Sequence, residues 1–254
     1  MTTQISLDLL LTGLLAGVRL VTLLGASPLF GHLAVPPRLR VAIALGISLG
    51  LMPPAVPGLA ELPAMSLGAA VIREALIGLA LGFVVRVIFA SFTLLGELVA
   101  IQGGLGAARV LDPANGAPTV ALGRAFQTFA LFVFLSIGGH QELIRAAAHS
   151  FAILPVAGVG PGVQYAVVAQ TGGAIYDAAG RLALPVTAAM LVTNAGVGLV
   201  GRAIPQLNLM SVQLPAQVAF LLVLLSFGAQ PLIEGMARLL TDWTHAAPEL
   251  ALGG

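Results

Sequence analysis

The sequence predicts an all-α, polytopic membrane-type protein, and three observations support that class. Of its 254 residues, 58% are hydrophobic and only 8% are charged, whereas an average soluble domain carries about a quarter charged residues. The mean hydropathy is +1.03. Apolar runs also recur at the length of roughly 20 residues that a spanning helix needs. Because no repeat, low-complexity linker or second composition regime interrupts this pattern, we expect one helical domain over residues 1–254.

The apolar runs give the expected helices in chain order. The N-terminus lacks a basic region and carries Asp8 just before its apolar run, so it predicts an uncleaved first membrane segment rather than a removed signal peptide. Five or six spanning helices are expected, and the third run is long enough for a bent or re-entrant helix. The runs lie at about residues 9–30, 41–60, 66–101, 117–137, 178–203 and 214–240.

One further apolar stretch, residues 149–177, is interrupted. Pro155 and the Gly-Val-Gly-Pro-Gly sequence at 158–162 lie in its middle. Proline removes a backbone donor and clashes with the preceding turn, and glycine weakens a helix. We therefore expect a helix, a break and a second helix there.

The polar residues exclude several classes of site. All eleven basic residues are arginine, no cysteine is present, and the net charge is +1. Disulfides and thiolate metal sites are thus excluded, and nucleic acid is not expected as a partner. The four histidines show no ligand spacing beside a carboxylate, so we expect neither a metal nor a cofactor.

Glycine pairs at a spacing of four residues mark three of the runs. Small residues at this spacing let helix backbones approach closely where lipid gives no hydrophobic drive. Two interpretations stay open, packing within the chain and packing against partner subunits. The pairs are Gly13 with Gly17, Gly46 with Gly50, and Gly78 with Gly82.

Charged residues within the apolar runs predict buried contacts, because each costs a few kcal/mol in a membrane unless it meets a partner or water. We favour such contacts for Arg19, Arg86 and Glu97, either inside the chain or across subunits. Arg86 and Glu97 share a helix face but lie about three turns apart, so they cannot pair with each other. Snorkelling to the interface suits the charges near run ends better. The same consideration applies to Arg73, Glu74, Arg124, Arg181 and Arg202.

Two short motifs are typical of enzymes but lie in the wrong context. The sequence GISLG at 46–50 matches Gly-x-Ser-x-Gly around Ser48, yet it lies in an apolar helical run without the preceding strand that a nucleophile elbow needs. The sequence GLGAAR at 104–109 resembles a dinucleotide-binding loop, but Arg109 occupies the third glycine position. We interpret the first as helix packing and discard the second.

The stretch QGGLGAARVLDPANGAPTVALGR, residues 102–124, interrupts the apolar sequence at mid-chain. Its Asp-Pro and Asn-Gly pairs form turns, and its glycines disfavour a helix. Irregular backbone at membrane depth is tolerated only when it is buried in protein or lines a water-filled cavity. The stretch is therefore either an exposed loop or a pore element, and these considerations alone favour the loop.

Five separate blocks of the sequence are informative when they are taken together and in order. They are VRLVTLLGASPLFGHLAVPPRLR at 18–40, LIGLALGF at 76–83, GELVAIQGGLGAARVLDPANG at 96–116, SIGGHQELIRAAAHSFAILPVAG at 136–158 and RAIPQLNLMSVQLP at 202–215. With these blocks the chain resembles, over roughly residues 15–225, the FliR family, the T-subunit family of type III secretion export gates in flagella and injectisomes.

This resemblance implies helical hairpins similar to a fusion of FliP-like and FliQ-like units, which close a spiral pore with several copies of those partners. It also implies that residues 103–118, here named the plug segment, lie in the closed pore and move to let unfolded substrate pass. The plug residues it implies are Gly103, Gly104, Gly106, Arg109, Asp112, Pro113, Asn115 and Gly116.

The expected function is that of a non-enzymatic export-gate subunit in the bacterial inner membrane. FlhA-like and FlhB-like proteins, unfolded secreted substrates and membrane lipid are the further partners that the resemblance implies. The LDPANG block at 111–116 favours a flagellar over a virulence machine. The alternative is a secondary transporter or permease for a small solute, which would combine broken helices and midplane charges in a similar composition. An intramembrane serine protease acting through Ser48 is a more distant alternative.

Overall fold

The structure, a computed structural model, describes residues 2–28, 36–51, 53–104, 118–158, 165–203 and 209–252. In those ranges the chain is helical apart from turns and short irregular stretches, and it has no strand. The prediction of an all-α protein is confirmed.

Within these ranges the chain forms seven α-helices and one 3₁₀ turn at Leu59–Glu61. In chain order the helices are α1 (Thr2–Ala26), α2 (Pro37–Gly50), α3 (Ala64–Gln102), α4 (Pro118–Ser136), α5 (Gly139–Ile153), α6 (Tyr165–Ala203) and α7 (Leu209–Leu252).

Within the described residues three to five segments can span a membrane, and five is the lower end of the five or six that the apolar runs predicted. Three segments of the described chain are long and apolar enough: Leu7–Ala26, Ala64–Gln102 and Gly172–Leu199. Two bent helix pairs raise the count to at most five if each pair forms one span. The run at 41–60 fails because α2 has only 14 residues. Pro53 and Pro54 follow it closely and prevent its continuation.

The long third run forms one continuous helix, Ala64–Gln102, without a break. The 39 residues of α3 contain no proline, and its interior is rich in branched and aromatic side chains. Helix α7, in contrast, bends by 62° between Gly228 and Gln230. Pro231 lies next to this bend and removes one backbone donor there.

The predicted helix, break and helix at 149–177 is confirmed. Helix α5 ends at Ile153, residues 154–158 are not helical, and α6 begins at Tyr165. Ala157 in this break has a φ of 52°, the left-handed region that non-glycine residues avoid.

The chain divides into two compact units, neither of which is a continuous stretch. Unit 1 comprises residues 1–88, 138–174 and 242–254, and unit 2 comprises residues 89–137 and 175–241. Helix α3 passes from one unit into the other at residue 88. The sequence therefore does not separate into two consecutive domains.

Unit 1 is organised around α1. The Asp8 carboxylate accepts backbone hydrogen bonds from Gly58 (3.0 Å) and Ala60 (2.7 Å). The buried Thr12 hydroxyl accepts another from Val56 at 3.1 Å. These contacts dock the 3₁₀ turn on the start of α1. A core cluster in this unit comprises Leu15, Ala16, Leu59, Ala70, Phe151 and Val156.

Unit 2 contains the ends of α3 and α4 that flank the plug segment. The rings of Phe89 and Phe134 meet edge to face, with their centroids 5.4 Å apart. Edge-to-face packing of this kind adds to the stabilisation that burial gives. The core cluster of the unit comprises Leu95, Val99, Ala183, Val186, Met190 and Leu221, from α3, α6 and α7.

Candidate functional site

The candidate site is the plug segment and the helix ends that hold it. Of its predicted residues the structure describes Gly103 and Gly104. The others lie outside the described residues: Gly106, Arg109, Asp112, Pro113, Asn115 and Gly116.

The first two glycines of the plug segment end helix α3. The Gly103 N–H donates to the Val99 carbonyl at 2.9 Å, which completes the last α-helical turn. The Gly104 N–H donates to the Ile101 carbonyl at 3.2 Å. Gly104 has a φ of 80°, a conformation that ends many helices and that glycine adopts without steric cost. The hydrogen bonds and the φ of Gly104 agree with the argument from the sequence that these glycines disfavour a helix.

The same two glycines allow a close approach to α7. A Cβ at Gly103 would lie inside 3.0 Å of the Leu221 side chain, and a Cβ at Gly104 would lie inside 3.0 Å of the Gln217 side-chain oxygen. Real Cβ atoms essentially never show such contacts. Any other residue at either position would therefore require the Leu221 or Gln217 side chain to shift, and at Gly104 it would also adopt a strained backbone conformation.

Beside these glycines lie Asn194 of α6 and Gln217 of α7, here named the amide pair. The Gln217 Nε2 donates to the Asn194 Oδ1 at 2.7 Å. The Asn194 Nδ2 lies 3.5 Å from the Gln102 carbonyl, a long hydrogen bond to the last residue of α3. Gln217 is 6% exposed, so this amide is satisfied inside the unit. Sequence reasoning missed both residues, because a single amide on an apolar helix carries no distinctive pattern.

Helices α3 and α4 meet at a second glycine contact, Gly96 with Gly123. A Cβ at Gly96 would lie 2.9 Å from the Gly123 Cα and 2.9 Å from the Leu122 carbonyl oxygen. A Cβ at Gly123 would lie 2.9 Å from the Glu97 Cγ and 3.0 Å from the Thr93 carbonyl oxygen. The helices that lead into and out of the plug segment are therefore in backbone contact. Neither glycine has a second glycine four residues away on its helix, and so the search for glycine pairs missed them.

Arg19 makes the buried contact that the sequence predicted. Its Nε and Nη2 lie 2.7 Å and 2.6 Å from the Glu74 Oε2, and the two side chains are 1% and 0% exposed. Its other donors reach the Ser150 hydroxyl at 3.0 Å and the Leu154 carbonyl at 2.8 Å. The Phe151 ring lies 4.4 Å from its Cζ, which adds a cation–π contact.

The adjacent Arg73 and Glu74 also hold the break after α5. The Glu74 Oε1 accepts from the Ala157 N–H at 3.2 Å, and the Arg73 guanidinium donates to the Gly158 carbonyl. Among the described residues, Ala157 is the one non-glycine residue in a left-handed backbone conformation, and the Glu74 carboxylate binds its N–H. The sequence marked both charges as costly, but their partners lie too far along the chain to be deduced from spacing.

Arg86 and Glu97, the other two charged residues predicted to make buried contacts, are not enclosed in the chain as Arg19 is. The Arg86 side chain is exposed, so the described part of the chain gives it no buried contact. Contact with another subunit stays a prediction for it. Glu97 is half-buried, and its Cγ packs beside Gly123 at the crossing of α3 and α4.

The glycines predicted for helix packing fall into two groups. A Cβ at Gly78 would lie inside 3.0 Å of the Arg19 carbonyl, and one at Gly82 would lie 2.7 Å from the Leu23 carbonyl. These two pack α3 against α1 within the chain. A Cβ at Gly46 or Gly50 would meet no atom of the described chain within 4 Å. For that pair, packing against a partner subunit stays a prediction.

The serine of the GISLG motif lies in a helix, as expected. Ser48 is 2% exposed, and its hydroxyl donates to the Gly13 carbonyl at 3.1 Å. That bond joins α2 to α1. Among the described residues no group of three or more His, Cys, Asp or Glu side chains could hold a metal ion.

Known proteins similar to this chain are bacterial export proteins. A family model described as "Bacterial export proteins, family 1" matches residues 10–243. The chain belongs to this family. The resemblance to FliR proteins is confirmed, and with its apolar spans the chain is an integral membrane protein of a bacterial export apparatus.

Individual relatives cover most of the chain. The flagellar biosynthetic protein FliR of Pectobacterium carotovorum subsp. carotovorum is 32% identical over 202 residues, 78% of this chain and 76% of that protein. FliR of Bacillus subtilis (strain 168) is 29% identical over 228 residues, 86% of each chain. The Yop proteins translocation protein T of Yersinia pestis is 29% identical over 172 residues, 65% of this chain and 64% of that protein.

Proposed function

We propose that this chain is a non-enzymatic subunit of the type III export gate and that it forms, with FliP-like and FliQ-like subunits, the pore for unfolded substrates. In this proposal the chain resembles a fusion of those two partners and closes a spiral assembly in the bacterial inner membrane. The plug segment occludes the resting pore. FlhA-like and FlhB-like proteins supply the neighbouring export functions, and the machine is flagellar rather than a virulence system.

The observation that carries this proposal is how the structure holds the two ends of the plug segment. Gly104 turns the chain out of α3, and Gly96 with Gly123 keeps α3 and α4 in backbone contact. The two helices are thus held together by contacts that lie outside residues 105–117. A gate whose helices stay packed while the segment between them opens and closes requires such contacts.

The surface of the described helices supports assembly with other subunits or lipid. In the spanning segment Gly172–Leu199 only 17% of the most apolar window is buried within the chain. Large apolar side chains such as Val192 and Phe227 are 74% and 85% exposed. Exposed apolar surface of this extent is stable only when lipid or protein covers it. The exposed Arg86 on α3 in turn needs water, a lipid phosphate or a carboxylate of a neighbouring subunit.

The relatives favour the flagellar over the injectisome assignment. The FliR relatives cited above align over 78% and 86% of the chain, whereas the Yersinia translocation protein aligns over 65%. The assignment predicts that loss of the chain abolishes flagellar assembly in its host. Motility together with loss of virulence-factor secretion in the deletion strain would instead support the injectisome.

A deletion within the plug segment tests the gating proposal. Removal of residues 106–115 should leave the chain assembled with its partners, because the helix contacts described above lie outside this range. The same cells should show an increased leak of ions or small solutes across the inner membrane. A Gly/Ser replacement of the same length is the matched control, because it distinguishes a need for the native residues from a need for their bulk. An assembled deletion variant with a tight membrane would contradict the proposal.

Cross-linking gives an independent test. The chain has no cysteine, so one cysteine at Ala108 and one in a pore-lining partner form a defined pair. Oxidation should block export, and reduction should restore it. Export that continues while the pair is cross-linked would argue against a plug at this position.

The state of the purified chain separates the export gate from a solute permease. A gate subunit should be recovered from detergent in a large complex with its partners, and it should be poorly stable alone. A monodisperse monomer that transports a small solute after reconstitution would support the permease.

A further inference from the structure

Helix α3 carries an exposed arginine within an otherwise apolar side. Arg86 lies there at helical spacing from exposed apolar side chains that precede and follow it along the helix. They include Ile72, Leu76, Leu79, Phe83, Leu94 and Ile101. No described residue forms a hydrogen bond or an ion pair with the Arg86 guanidinium. Its donors are therefore left to a group outside the described residues.

The apolar side of α3 is longer than the hydrocarbon layer of a bilayer. An α-helix rises about 1.5 Å per residue, so Ile72 and Ile101 lie about 44 Å apart along this continuous helix. The hydrocarbon layer is about 30 Å thick. A tilt of about 47° would be needed to fit this length into it, whereas spanning helices tilt by up to about 40°. Arg86 lies near the middle, about 22 Å from each of the two isoleucines.

Lipid alone does not suit this side of α3 at any depth. With Arg86 inside the hydrocarbon, its guanidinium is costly unless it meets a counter-charge or water. With Arg86 at the edge of the hydrocarbon, about 22 Å of the apolar side extends beyond the lipid and requires protein to cover it. Snorkelling relieves charges near the end of an apolar run, and Arg86 is far from both ends. A protein helix with an acidic side chain meets both requirements.

The start of α6 leaves room for such a helix beside Phe83. A Cβ at Gly172 would lie 3.9 Å from the Val87 Cγ1 and 4.0 Å from the Phe83 Cε1, so this part of α6 packs beside α3. The next residue, Gly173, is exposed, and a Cβ there would meet no atom of the described chain within 4 Å. Small residues at such positions allow another helix to approach closely within a membrane.

A second copy of this chain is a poor source of the counter-charge. Most described carboxylates are already engaged within the chain, by an arginine or by backbone N–H groups. These are Asp8, Glu74, Glu142, Asp177 and Glu234. The occupant that fits is therefore a different chain that brings its own Asp or Glu.

We infer that a helix of a partner subunit covers α3 around Arg86 and places an Asp or Glu carboxylate against its guanidinium. The contact, here named the Arg86 face, comprises Leu79, Phe83 and Arg86, all in unit 1. This inference rests on the proposed function, in which the chain works inside an assembly. Apolar contacts alone would let two helices slide along each other, whereas a charge pair fixes their register.

Photo-cross-linking in the native membrane tests what covers the Arg86 face. A benzophenone analogue of phenylalanine replaces Phe83 in one variant of the full chain and Leu79 in another. Illumination should join each variant to a partner subunit, at a helix that contains an Asp or Glu. No protein adduct at either position, or an adduct only with this chain itself, would overturn the inference. Rapid reaction of Arg86→Cys with a membrane-impermeant maleimide would also overturn it, because water would then cover the face.

Charge variants test the ion pair. Arg86→Glu should lower the amount of complex recovered in detergent at least about tenfold, because two carboxylates would then face each other where water is excluded. Arg86→Lys keeps the positive charge and should keep most of the complex. The matched control is Arg124→Glu, the same charge change at an exposed arginine in the second turn of α4, which should leave the recovery unchanged. If Arg86→Glu does not accumulate in the membrane, Arg86→Met is compared with Arg124→Met, and the same difference is expected.

A charge exchange completes the comparison. A lysine in place of the partner's acidic residue, identified from the adduct, should restore the complex with Arg86→Glu. Failure of every such exchange would overturn the ion pair.

The outcomes separate this inference from the proposed function. If the parent chain is recovered with partner subunits, yet Arg86→Glu assembles at the parent level or no adduct forms at Leu79 and Phe83, the Arg86 face is wrong and the export gate stands. If the parent chain is recovered only as a monodisperse monomer, the proposed assembly itself fails, and the inference fails with it.

Discussion

Replacing Glu74 with glutamine tests whether the buried ion pair with Arg19 fixes unit 1. Both side chains are essentially inaccessible, at 1% and 0% exposure. Glutamine keeps an oxygen that can accept from the Ala157 N–H, but its NH2 group then replaces the Oε2 that accepts from Arg19, so the negative charge and this acceptor are both lost. Arg19 then stays buried with the Ser150 hydroxyl and the Leu154 carbonyl but without a counter-charge. Removal of one partner from a buried pair costs about 3–5 kcal/mol.

The double variant Arg19→Met with Glu74→Gln gives the sharper result. It removes both charges and leaves the Leu154 carbonyl without its donor, which costs about 1–3 kcal/mol. The amide NH2 introduced by Glu74→Gln lacks an acceptor in both variants, so it does not enter the comparison between them. Methionine fills part of the volume of the arginine stem. We therefore expect the double variant to be more stable than Glu74→Gln alone, by about 2 kcal/mol from these ranges.

Thermal unfolding of the purified complex measures both effects. One kcal/mol corresponds to about 2–4 °C for a chain of this size, so Glu74→Gln should lower the Tm by about 6–20 °C. The matched control is Asp177→Asn, which neutralises the exposed Asp177–Arg181 pair, 2.9 Å apart at 64% and 75% exposure. That pair lies in the spanning segment Gly172–Leu199, but the chain leaves both side chains exposed, so its loss should cost less than the loss of the enclosed Glu74 charge. A loss in Glu74→Gln no larger than in the control, or a double variant less stable than the single, would refute the reasoning.

Three further predictions concern backbone contacts. Gly78→Ala should lower the free energy of unfolding by about 1–3 kcal/mol in thermal unfolding, since its Cβ has no room beside α1. Gly46→Leu should leave the stability of the isolated chain unchanged and reduce only co-purification with partners. Ser48→Ala should leave export intact and cost about 1 kcal/mol, because its hydroxyl makes a single helix-to-helix bond; an assembled but inactive variant would revive the protease interpretation. Ala157→Gly should be neutral or stabilise by up to about 1 kcal/mol, because a φ of 52° strains alanine, and a clear loss of stability would argue against that strain.

Local chemistry predicted much of the fold. Helix α3 ends at the glycines of the 102–124 stretch, and the break after α5 falls where Pro155 and its glycines lie. Both features depend on the intrinsic backbone preferences of glycine and proline, which can be recognised in the sequence without the tertiary fold. The length of the helix in the run at 41–60 was overestimated, because mean hydropathy does not register Pro53 and Pro54, whereas the helical backbone cannot continue through them.

Contacts between distant residues could not be predicted in this way. Arg19 was correctly marked as needing a buried partner, but Glu74 lies 55 positions away and many pairings were equally compatible with the sequence. Gly96 and Gly123 were missed because each acts across two helices and not along one. The sequence shows which residues are costly in an apolar setting, whereas the tertiary fold decides which groups offset that cost.

Glycine in an apolar helix can allow close packing either within the chain or against a second chain, and composition alone does not distinguish these two roles. At Gly78, Gly96 and Gly103 a single added carbon would collide with a neighbouring helix or its side chains, so these glycines fix packing within a unit. At Gly46 and Gly50 the same carbon would meet nothing in the described chain. A glycine in an apolar helix costs up to about 1 kcal/mol relative to alanine, so an open position needs another reason to be retained. Close approach of a second chain supplies that reason in an export gate. We therefore expect α2 to contact a partner subunit, with both open glycines facing it.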